Sequence, residues 1–160
     1  MADETYAGLN VADIYCGDGI HVQKELGECY DANIKPGFAI RVVSGLIYLT
    51  NQSDKAFAGI MALKSGQDID TAYTQYDLAE YYPKGGGADV WIILEATSPT
   101  VAVKVGDALA LGTEDGKLRA FVYANATDVT DSSINIAGHA LEADTGHVSD
   151  DHIIKMRLDI

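Results

Sequence analysis

Proline and cysteine are scarce in this chain, which has 3 prolines and 2 cysteines among its 160 residues. Two cysteines are too few for the disulfide framework that holds many small secreted domains together. A chain of this length does not need one, because a domain of about 150 residues buries roughly 68–70% of its unfolded surface. We expect Cys16 and Cys29 to be independent thiols. A bridge between them would close only a short loop and would require an oxidising medium.

Positively charged residues are also few. The chain has 11 lysines and arginines against 24 aspartates and glutamates, which gives a formal net charge of -13. A surface of this sign repels phosphate groups, which argues against nucleic acid as a partner. The same charge favours solubility, and it favours partners that are basic or cationic.

Long apolar runs are missing. No stretch approaches the roughly 18 apolar residues of a membrane span, and the longest run, around Val90–Leu94, has the length of a strand. The first residues, Met1–Glu4, are acidic and lack the basic and apolar regions of a signal peptide. We therefore expect neither membrane insertion nor secretion, so that the chain stays in the cytoplasm unless a particle carries it out.

Glycine, in contrast, is abundant at 16 residues. Turn signals recur about every 8–12 residues between short apolar or alternating segments, which is typical of a β-sandwich or β-barrel. Val90–Ala96 is predicted to be a strand buried on both faces, and the alternation in Val101–Val105 predicts a half-buried strand. The predicted strands are Phe38–Val43, Leu46–Thr50, Phe57–Lys64, Leu78–Tyr82, Val90–Ala96, Val101–Val105, Ala108–Gly112, Lys117–Tyr123, Ile134–Glu142 and Ile153–Leu158.

Helical periodicity is absent from every long segment of the sequence. Ile69–Tyr76 could form a single helical turn, with Asp68 or Asp70 as its N-cap. The predicted fold is therefore an all-β barrel or sandwich with at most one or two short helical turns.

The N-terminal part of the chain is the least patterned. Met1–Asn10 is predicted to be an arm, and residues 11–160 a single β domain in which Val11–Asp31 supplies one or two short strands. Tyr6 and Leu9 are the only large apolar residues of the arm. An arm that becomes ordered on binding could grip a neighbouring subunit through them, so we predict that Tyr6 and Leu9 bind a partner. The alternative is that the segment packs as an edge strand.

Carboxylates at Asp68 and Asp70 resemble the start of a calcium-binding loop. Such a loop needs a further oxygen ligand and then a glycine at its fifth and sixth positions. Those positions hold Ala72 and Tyr73. We therefore interpret the two aspartates as capping residues.

Three histidines could serve as metal ligands, at positions 139, 147 and 152. His147 and His152 flank an acidic segment that reads as a solvated loop, whereas zinc sites prefer closely paired ligands on rigid elements. His139 lies within a predicted strand, where a hydrogen-bonded structural imidazole is the commoner arrangement. No metal and no cofactor are expected.

The sequence offers little evidence for a catalytic nucleophile. Cys16 and His21 are close in sequence, but catalytic pairs are normally adjacent in space rather than in sequence. No Gly-x-Ser-x-Gly motif is present, and Lys84–Gly87 lacks the order of residues found in phosphate-binding loops. We therefore expect that the chain is not an enzyme.

Tyrosines are concentrated between residues 73 and 82, beside two carboxylates. The group could stack on sugars or contact a partner protein, because tyrosine is enriched at interfaces. Packing within strands and the core is the favoured interpretation. The residues concerned are Tyr73, Tyr76, Tyr81, Tyr82, Asp77 and Glu80.

Several stretches occur in an order that resembles a known family. They are AYTQYDLAEYY at Ala72–Tyr82, ADVWIIL at Ala88–Leu94, VAVKVGDALALGTEDGKL at Val101–Leu118, IAGHALE at Ile136–Glu142 and IIKMRL at Ile153–Leu158. This order is similar to that in the head decoration, or cement, proteins of tailed phages and related archaeal viruses. Their pattern is a VxVGDxLxLxxDGKL-like hairpin, then a GxALE strand and a short charged closing strand. The earlier IKPGFAIRVV at Ile34–Val43 also fits, so the resemblance spans Ile34 to Ile160.

The resemblance implies a β-tulip-like barrel that assembles as a homotrimer and binds the major capsid protein at three-fold or quasi-three-fold positions. The expected location is the exterior of the virion, after assembly in the host cytoplasm, and the expected function is stabilisation of the capsid. Barrel-sandwich modules such as lipoyl-like domains have similar hairpins, but Lys117 follows the Asp115-Gly116 turn and is not flanked by Met or Ala. The alternative function is a non-capsid β-rich module that binds carbohydrate or protein through the tyrosine-rich segment.

Overall fold

The computed structural model describes residues 24–64, 66–96, 101–121, 136–146 and 151–159, in which ten β-strands and no helix occur. The prediction of an all-β fold is thereby confirmed. The strands are β1 (Glu25–Cys29), β2 (Ala39–Val43), β3 (Leu46–Leu49), β4 (Gly59–Met61), β5 (Leu78–Pro83), β6 (Asp89–Leu94), β7 (Ala108–Leu111), β8 (Leu118–Ala120), β9 (Ile136–Ala140) and β10 (His152–Leu158).

The strands form two closed barrels of five strands each. The first barrel has the order β1-β3-β2-β4-β5 and closes because β5 pairs with β1, and the second has the order β10-β6-β8-β7-β9 and closes because β9 pairs with β10. Each barrel contains one parallel pair, β1 with β3 and β6 with β8, and its other pairs are antiparallel. Closure removes the unpaired sheet edges at which other chains could add strands.

One hydrophobic cluster joins the two barrels. The first barrel contributes Ala39, Ile60 and Tyr82 to the same cluster as Leu109 and Met156 of the second barrel, and all five are 2% exposed or less. A separate cluster, which includes Ile40, Ile47 and Met61, fills the interior of the first barrel. The first barrel therefore buries side chains on two sides, inward and towards its neighbour.

Backbone hydrogen bonds also connect the barrels. The amide of Ala39 donates to the carbonyl of Gly116 at 2.8 Å, and the amide of Gly116 donates to Thr50 at 2.8 Å. Gln52 donates to Gly112 at 2.9 Å. The hairpin between β7 and β8 is thus held against the first barrel by main-chain contacts as well as by apolar packing.

Strand β6 shows how the pattern of side chains positions the core. Val90, Ile92 and Leu94 are buried, whereas the alternate residues Trp91 and Ile93 are half-buried. The expected strand is present, but only one of its faces is fully buried. The other face is partly covered, in part because the Lys155 ammonium lies 4.9 Å from the centre of the Trp91 ring.

The strand predicted at Val101–Val105 is wrong. Val103 alone forms an isolated bridge with Asp144, through two backbone hydrogen bonds of 2.7 and 2.9 Å. The chain then enters a turn, because the Lys104 amide donates to the Asp107 carboxylate at 2.8 Å and the Asp107 amide donates to the Lys104 carbonyl at 3.0 Å. Val105, the last of the three alternating valines, lies in this turn instead of in a strand and is 66% exposed.

Asp68 caps a turn, as the sequence indicated, but no helix follows it among the described residues. Its carboxylate accepts hydrogen bonds from the Asp70 amide and the Thr71 hydroxyl, each at 3.0 Å. The Thr71 amide donates to the Asp68 carbonyl at 3.1 Å. These local hydrogen bonds pair the backbone groups of the turn, and the described part of the chain does not continue into a helix.

Cys29 should resist alkylation in the folded protein. It is a free and fully buried thiol at the end of β1, and burial together with Asp77 raises the pKa of Cys29 to about 11. Because the thiolate is the reactive form, iodoacetamide at pH 8 should modify Cys29 only after denaturation. Peptide mass spectrometry reads Cys29 separately from Cys16, which lies outside the described residues. Modification of native Cys29 at the rate of a free thiol would contradict its burial.

Candidate binding surface

Exposed large hydrophobic side chains are concentrated on one side of the first barrel. Seven such side chains occur in the described part of the chain, and five of them lie on or beside β1, β2 and β5. Those five are Leu26, Tyr30, Val43, Tyr76 and Leu78, and the other two are Val105 and Ile153.

Strand alternation explains why these side chains point outward. In β1, Gly27 and Cys29 are buried while Leu26 and Glu28 are exposed. In β2, Ile40 belongs to the cluster inside the first barrel, and Val43, three residues further on, is exposed. Successive side chains of a strand point to opposite faces, so the exposed residues share the outside of the barrel.

Register brings four outward residues into one row across four strands. Val43 of β2 pairs with Leu46 of β3, Leu46 pairs with Glu28 of β1, and Glu28 pairs with Leu78 of β5. Adjacent strands lie about 4.8 Å apart, so the row is about 14 Å long. A second pair on the same face is Leu26 of β1 opposite Glu80 of β5.

An aromatic row runs beside the first one. Arg41 pairs with Tyr48 across β2 and β3, and its guanidinium lies 4.8 Å from the centre of the Tyr48 ring. The rings of Tyr48 and Tyr30 are 4.8 Å apart, and those of Tyr30 and Tyr76 are 6.4 Å apart, edge to face. The backbone amide of Tyr76 donates to the carbonyl of Cys29 at 2.6 Å, which fixes this loop residue against β1.

We call this surface the outer face. It consists of Leu26, Glu28, Tyr30, Arg41, Val43, Leu46, Tyr48, Tyr76, Leu78 and Glu80. Arg41 is the one cation of this set, and its Nε lies 3.6 Å from the Asp54 carboxylate. Glu28 and Glu80 are exposed and form no ion pair with any residue in the described ranges. The outer face is therefore apolar, aromatic and acidic.

The tyrosine-rich segment of the sequence divides between core and surface. Tyr73, Tyr81 and Tyr82 are buried, which is the favoured interpretation of the sequence. The Tyr73 hydroxyl donates to the Ala62 carbonyl at 2.8 Å, and the Tyr81 hydroxyl donates to Glu25 at 2.5 Å. Burial, with Glu25 beside it, raises the pKa of Tyr81 to about 12, so the phenol remains a donor at neutral pH.

Tyr76 is the exposed member of that segment, at 62%. Its ring partner Tyr30 and the next ring, Tyr48, were not singled out from the sequence. Their contact depends on the parallel pairing of β1 with β3, which no local pattern reveals. The two predicted partner-binding residues, Tyr6 and Leu9, lie outside the described residues, and so do Cys16 and His21.

Each of the described histidines lies within hydrogen-bond distance of a carboxylate. Nδ1 of His139 lies 2.6 Å from Asp159, as expected of a hydrogen-bonded imidazole, and Nδ1 of His152 lies 2.6 Å from Asp144. His152 begins β10 and so belongs to a strand, and His147 lies outside the described residues. Within the described ranges, no group of three or more histidines, cysteines, aspartates or glutamates could hold a metal ion.

The His139–Asp159 pair borders an open cavity of about 510 Å³. Arg157 also lines this cavity, but its guanidinium already donates to both oxygens of Asp89, at 2.6 and 2.8 Å. The other lining residues are glycine, alanine, leucine and valine, which offer no nucleophilic side chain among the described residues. The described lining residues do not bring together a nucleophile, a base and an oxyanion donor.

No protein-family model matches the chain, and no curated protein matches it. The described residues form no helix that is long and apolar enough to cross a membrane.

Proposed function

We propose that this protein is a virion structural protein that binds the outside of a capsid and stabilises it, without catalysing a reaction. The choice of the capsid as partner rests on the sequence resemblance from Ile34 to Ile160. The binding role rests on the outer face of the first barrel. In this proposal the partner is the major capsid protein, and the chain acts as a homotrimer on the exterior of the virion.

The outer face is the observation that carries the proposal. The largest apolar patch on a monomeric soluble protein is typically a few hundred Å² in area and is often functional, and the outer face is of about that size. Here Leu78, Leu26 and Tyr76 are each more than 60% exposed on one side of one barrel. Each side chain that a partner covers can contribute about 1.5–3 kcal/mol before the costs of ordering.

The size of the outer face fits attachment at many repeated sites. Its rows span roughly 14 Å, so its area is on the order of 200–400 Å², whereas a standard interface covers about 800 Å² on each partner. One such face binds weakly by itself. A trimer that contacts several shell subunits at once gains avidity, which is the physical basis of a cement protein.

Stripped particles test the proposal. Capsids assembled without this chain should release their DNA at a lower temperature than complete particles, and adding the purified chain should restore the difference. Occupancy at a hundredfold excess over Kd stabilises each site by about 2.7 kcal/mol. The measurement is the temperature of DNA release, followed with a DNA-binding dye. Equal release temperatures for stripped and complete particles would refute the stabilising role.

A second candidate function is a carbohydrate-binding or adhesion module, outside any capsid. The neighbouring rings of Tyr48, Tyr30 and Tyr76 favour it, because aromatic side chains at the surface can pack against sugar rings, and Tyr76 is 62% exposed. A glycan array separates the two proposals. A cement protein should bind empty shells and ignore sugars, and saturable binding of a sugar that is lost on Tyr76→Ala would favour the module.

A further inference from the structure

We propose that the outer face binds a segment of the shell protein that carries two closely spaced basic residues beside apolar ones. The identity of the shell protein rests on the proposed function, whereas the chemistry of the segment follows from the arrangement of charges on the face. Glu28 and Glu80, which lie among the exposed leucines, are the charges that a partner has to match.

The two carboxylates cannot be avoided by a partner that covers the leucines. Glu28 pairs directly with Leu78, and Glu80 pairs directly with Leu26. A partner that buries both leucines therefore takes both carboxylates out of water. Burying an unpaired carboxylate is costly, and a cation on the partner offsets that cost and adds a charge-assisted hydrogen bond.

The chain itself does not neutralise these charges. Arg41, the cation of the outer face, stacks on Tyr48 and lies 3.6 Å from Asp54. Lys24, an exposed cation two residues before Leu26, lies over the Tyr82 ring, 5.5 Å from its centre. Neither Glu28 nor Glu80 has an ion-pair partner in the part of the chain that the structure describes. A partner that covers the face is therefore expected to bring cations of its own to these carboxylates.

Spacing restricts the partner further. Glu28 and Glu80 are diagonal neighbours on antiparallel strands, since Glu28 faces Leu78 and Glu80 is two residues beyond. Diagonal neighbours are about 7–8 Å apart, which matches the separation of side chains two residues apart on an extended segment, about 7 Å. An extended segment with lysine or arginine at alternate positions could meet both carboxylates.

A second copy of the chain fits the face poorly. It would place the same two carboxylates against Glu28 and Glu80, and the chain carries a net charge of -13. A sugar fits only part of the face, because stacking on the tyrosine row leaves Leu26 and Leu78 in water. Both remain outcomes that the experiment can detect.

The experiment compares matched surface variants of the full chain in binding to empty shells by sedimentation. Leu78→Ser removes a leucine that is 69% exposed on the outer face, and Val105→Ser removes a valine that is 66% exposed on the second barrel. Glu80→Lys reverses a charge on the face, and Asp70→Lys reverses an exposed charge in the loop between β4 and β5. Thermal unfolding of the four variants serves as the check that each of them is folded.

We expect Leu78→Ser and Glu80→Lys each to weaken shell binding about tenfold or more, and both controls to bind within about twofold of the wild type. Binding of the wild type should also weaken between 0.1 M and 1 M salt, over which the screening length falls from about 10 Å to about 3 Å. If the wild type binds shells and both face variants bind them with the same affinity as the wild type, the inference is refuted. The proposed function would still stand.

A second measurement tests, without capsid shells, whether the outer face prefers basic partners. The wild-type chain is titrated with a peptide of alternating leucine and lysine and with its leucine–glutamate counterpart. Preference for the lysine peptide that Glu80→Lys abolishes supports the inference, even if the wild type fails to bind shells and the proposed function is wrong. Equal affinity for the two peptides, or a trimer that Leu78→Ser dissociates, would overturn the inference.

Discussion

Replacing Gly138 with alanine is expected to lower the free energy of unfolding by about 3 kcal/mol. A Cβ added to Gly138 in β9 would lie 2.1 Å from the backbone oxygen of Arg157 and 3.0 Å from its carbonyl carbon. Backbone atoms cannot turn aside as the end of a side chain can. Arg157 is also held by its pairing with Asp89 on the other side of β10, so relief requires β9 and β10 to separate.

The matched control is Gly45→Ala in the hairpin between β2 and β3. Gly45 has a φ of +83°, and a Cβ there would meet nothing within 4 Å. Its replacement carries only the left-handed backbone penalty of about 1–2 kcal/mol. Gly59→Ala in the first barrel should behave like Gly138→Ala, because its Cβ would lie 2.1 Å from the Tyr82 oxygen.

Urea unfolding of the three variants measures these differences. The steric explanation requires Gly138→Ala and Gly59→Ala to be clearly less stable than Gly45→Ala. If Gly138→Ala were as stable as Gly45→Ala, β9 and β10 would not be packed as closely as the structure shows.

Glu95→Ala is expected to destabilise the protein by about 2–4 kcal/mol. Glu95 follows β6 and is 3% exposed. Its carboxylate accepts hydrogen bonds from the amides of Thr113 and Glu114, at 3.1 and 3.0 Å, and from the Thr113 hydroxyl. Alanine would leave these donors without their acceptor and would open a cavity next to Gly112, where an added Cβ would lie 2.4 Å from Glu95 Oε2.

Two further variants separate the causes. Glu95→Gln keeps the shape and one acceptor oxygen, so its loss should be smaller than that of Glu95→Ala. Glu114→Ala retains the backbone amide that donates to Glu95 and removes only a partly exposed ion pair with Lys117, which is worth about 0–1 kcal/mol. Urea unfolding should show the largest loss of stability for Glu95→Ala, a smaller loss for Glu95→Gln and the smallest for Glu114→Ala. A Glu95→Ala protein as stable as the wild type would show that the carboxylate does not hold this turn.

Local pattern predicted much of the fold. The strands near Phe38–Val43, Leu46–Thr50 and Leu78–Tyr82 lie within one or two residues of β2, β3 and β5. The hairpin at Ser44-Gly45 has positive φ angles of 53° and 83°, the geometry that a two-residue hairpin turn requires. These features depend on a few adjacent residues, whose side chains and backbone angles are legible in the sequence.

The predictions that were wrong or missing also trace to the reliance on local sequence pattern. Val101–Val105 alternates like a strand, but alternation shows only that a segment could pair. Among the residues that the structure describes, its strand-like pairing is the isolated bridge between Val103 and Asp144. The sequence likewise gave no sign that the strands would divide into two closed barrels with one shared hydrophobic cluster. Strand pairing joins residues far apart in the chain, and many pairings satisfy the same local pattern.

The outer face is the clearest case of this division. The sequence by itself determined the all-β content, the acidic charge and the positions of most turns, because each depends on composition or on neighbouring residues. The tertiary structure alone decided that Leu26 lies near Leu78 and that Tyr30 meets Tyr48, since these contacts follow from the register of β1 with β5 and β3. Alternation of apolar and polar residues indicates that a strand has two different faces. Only the closure of the barrel decides which of the two faces lies inside.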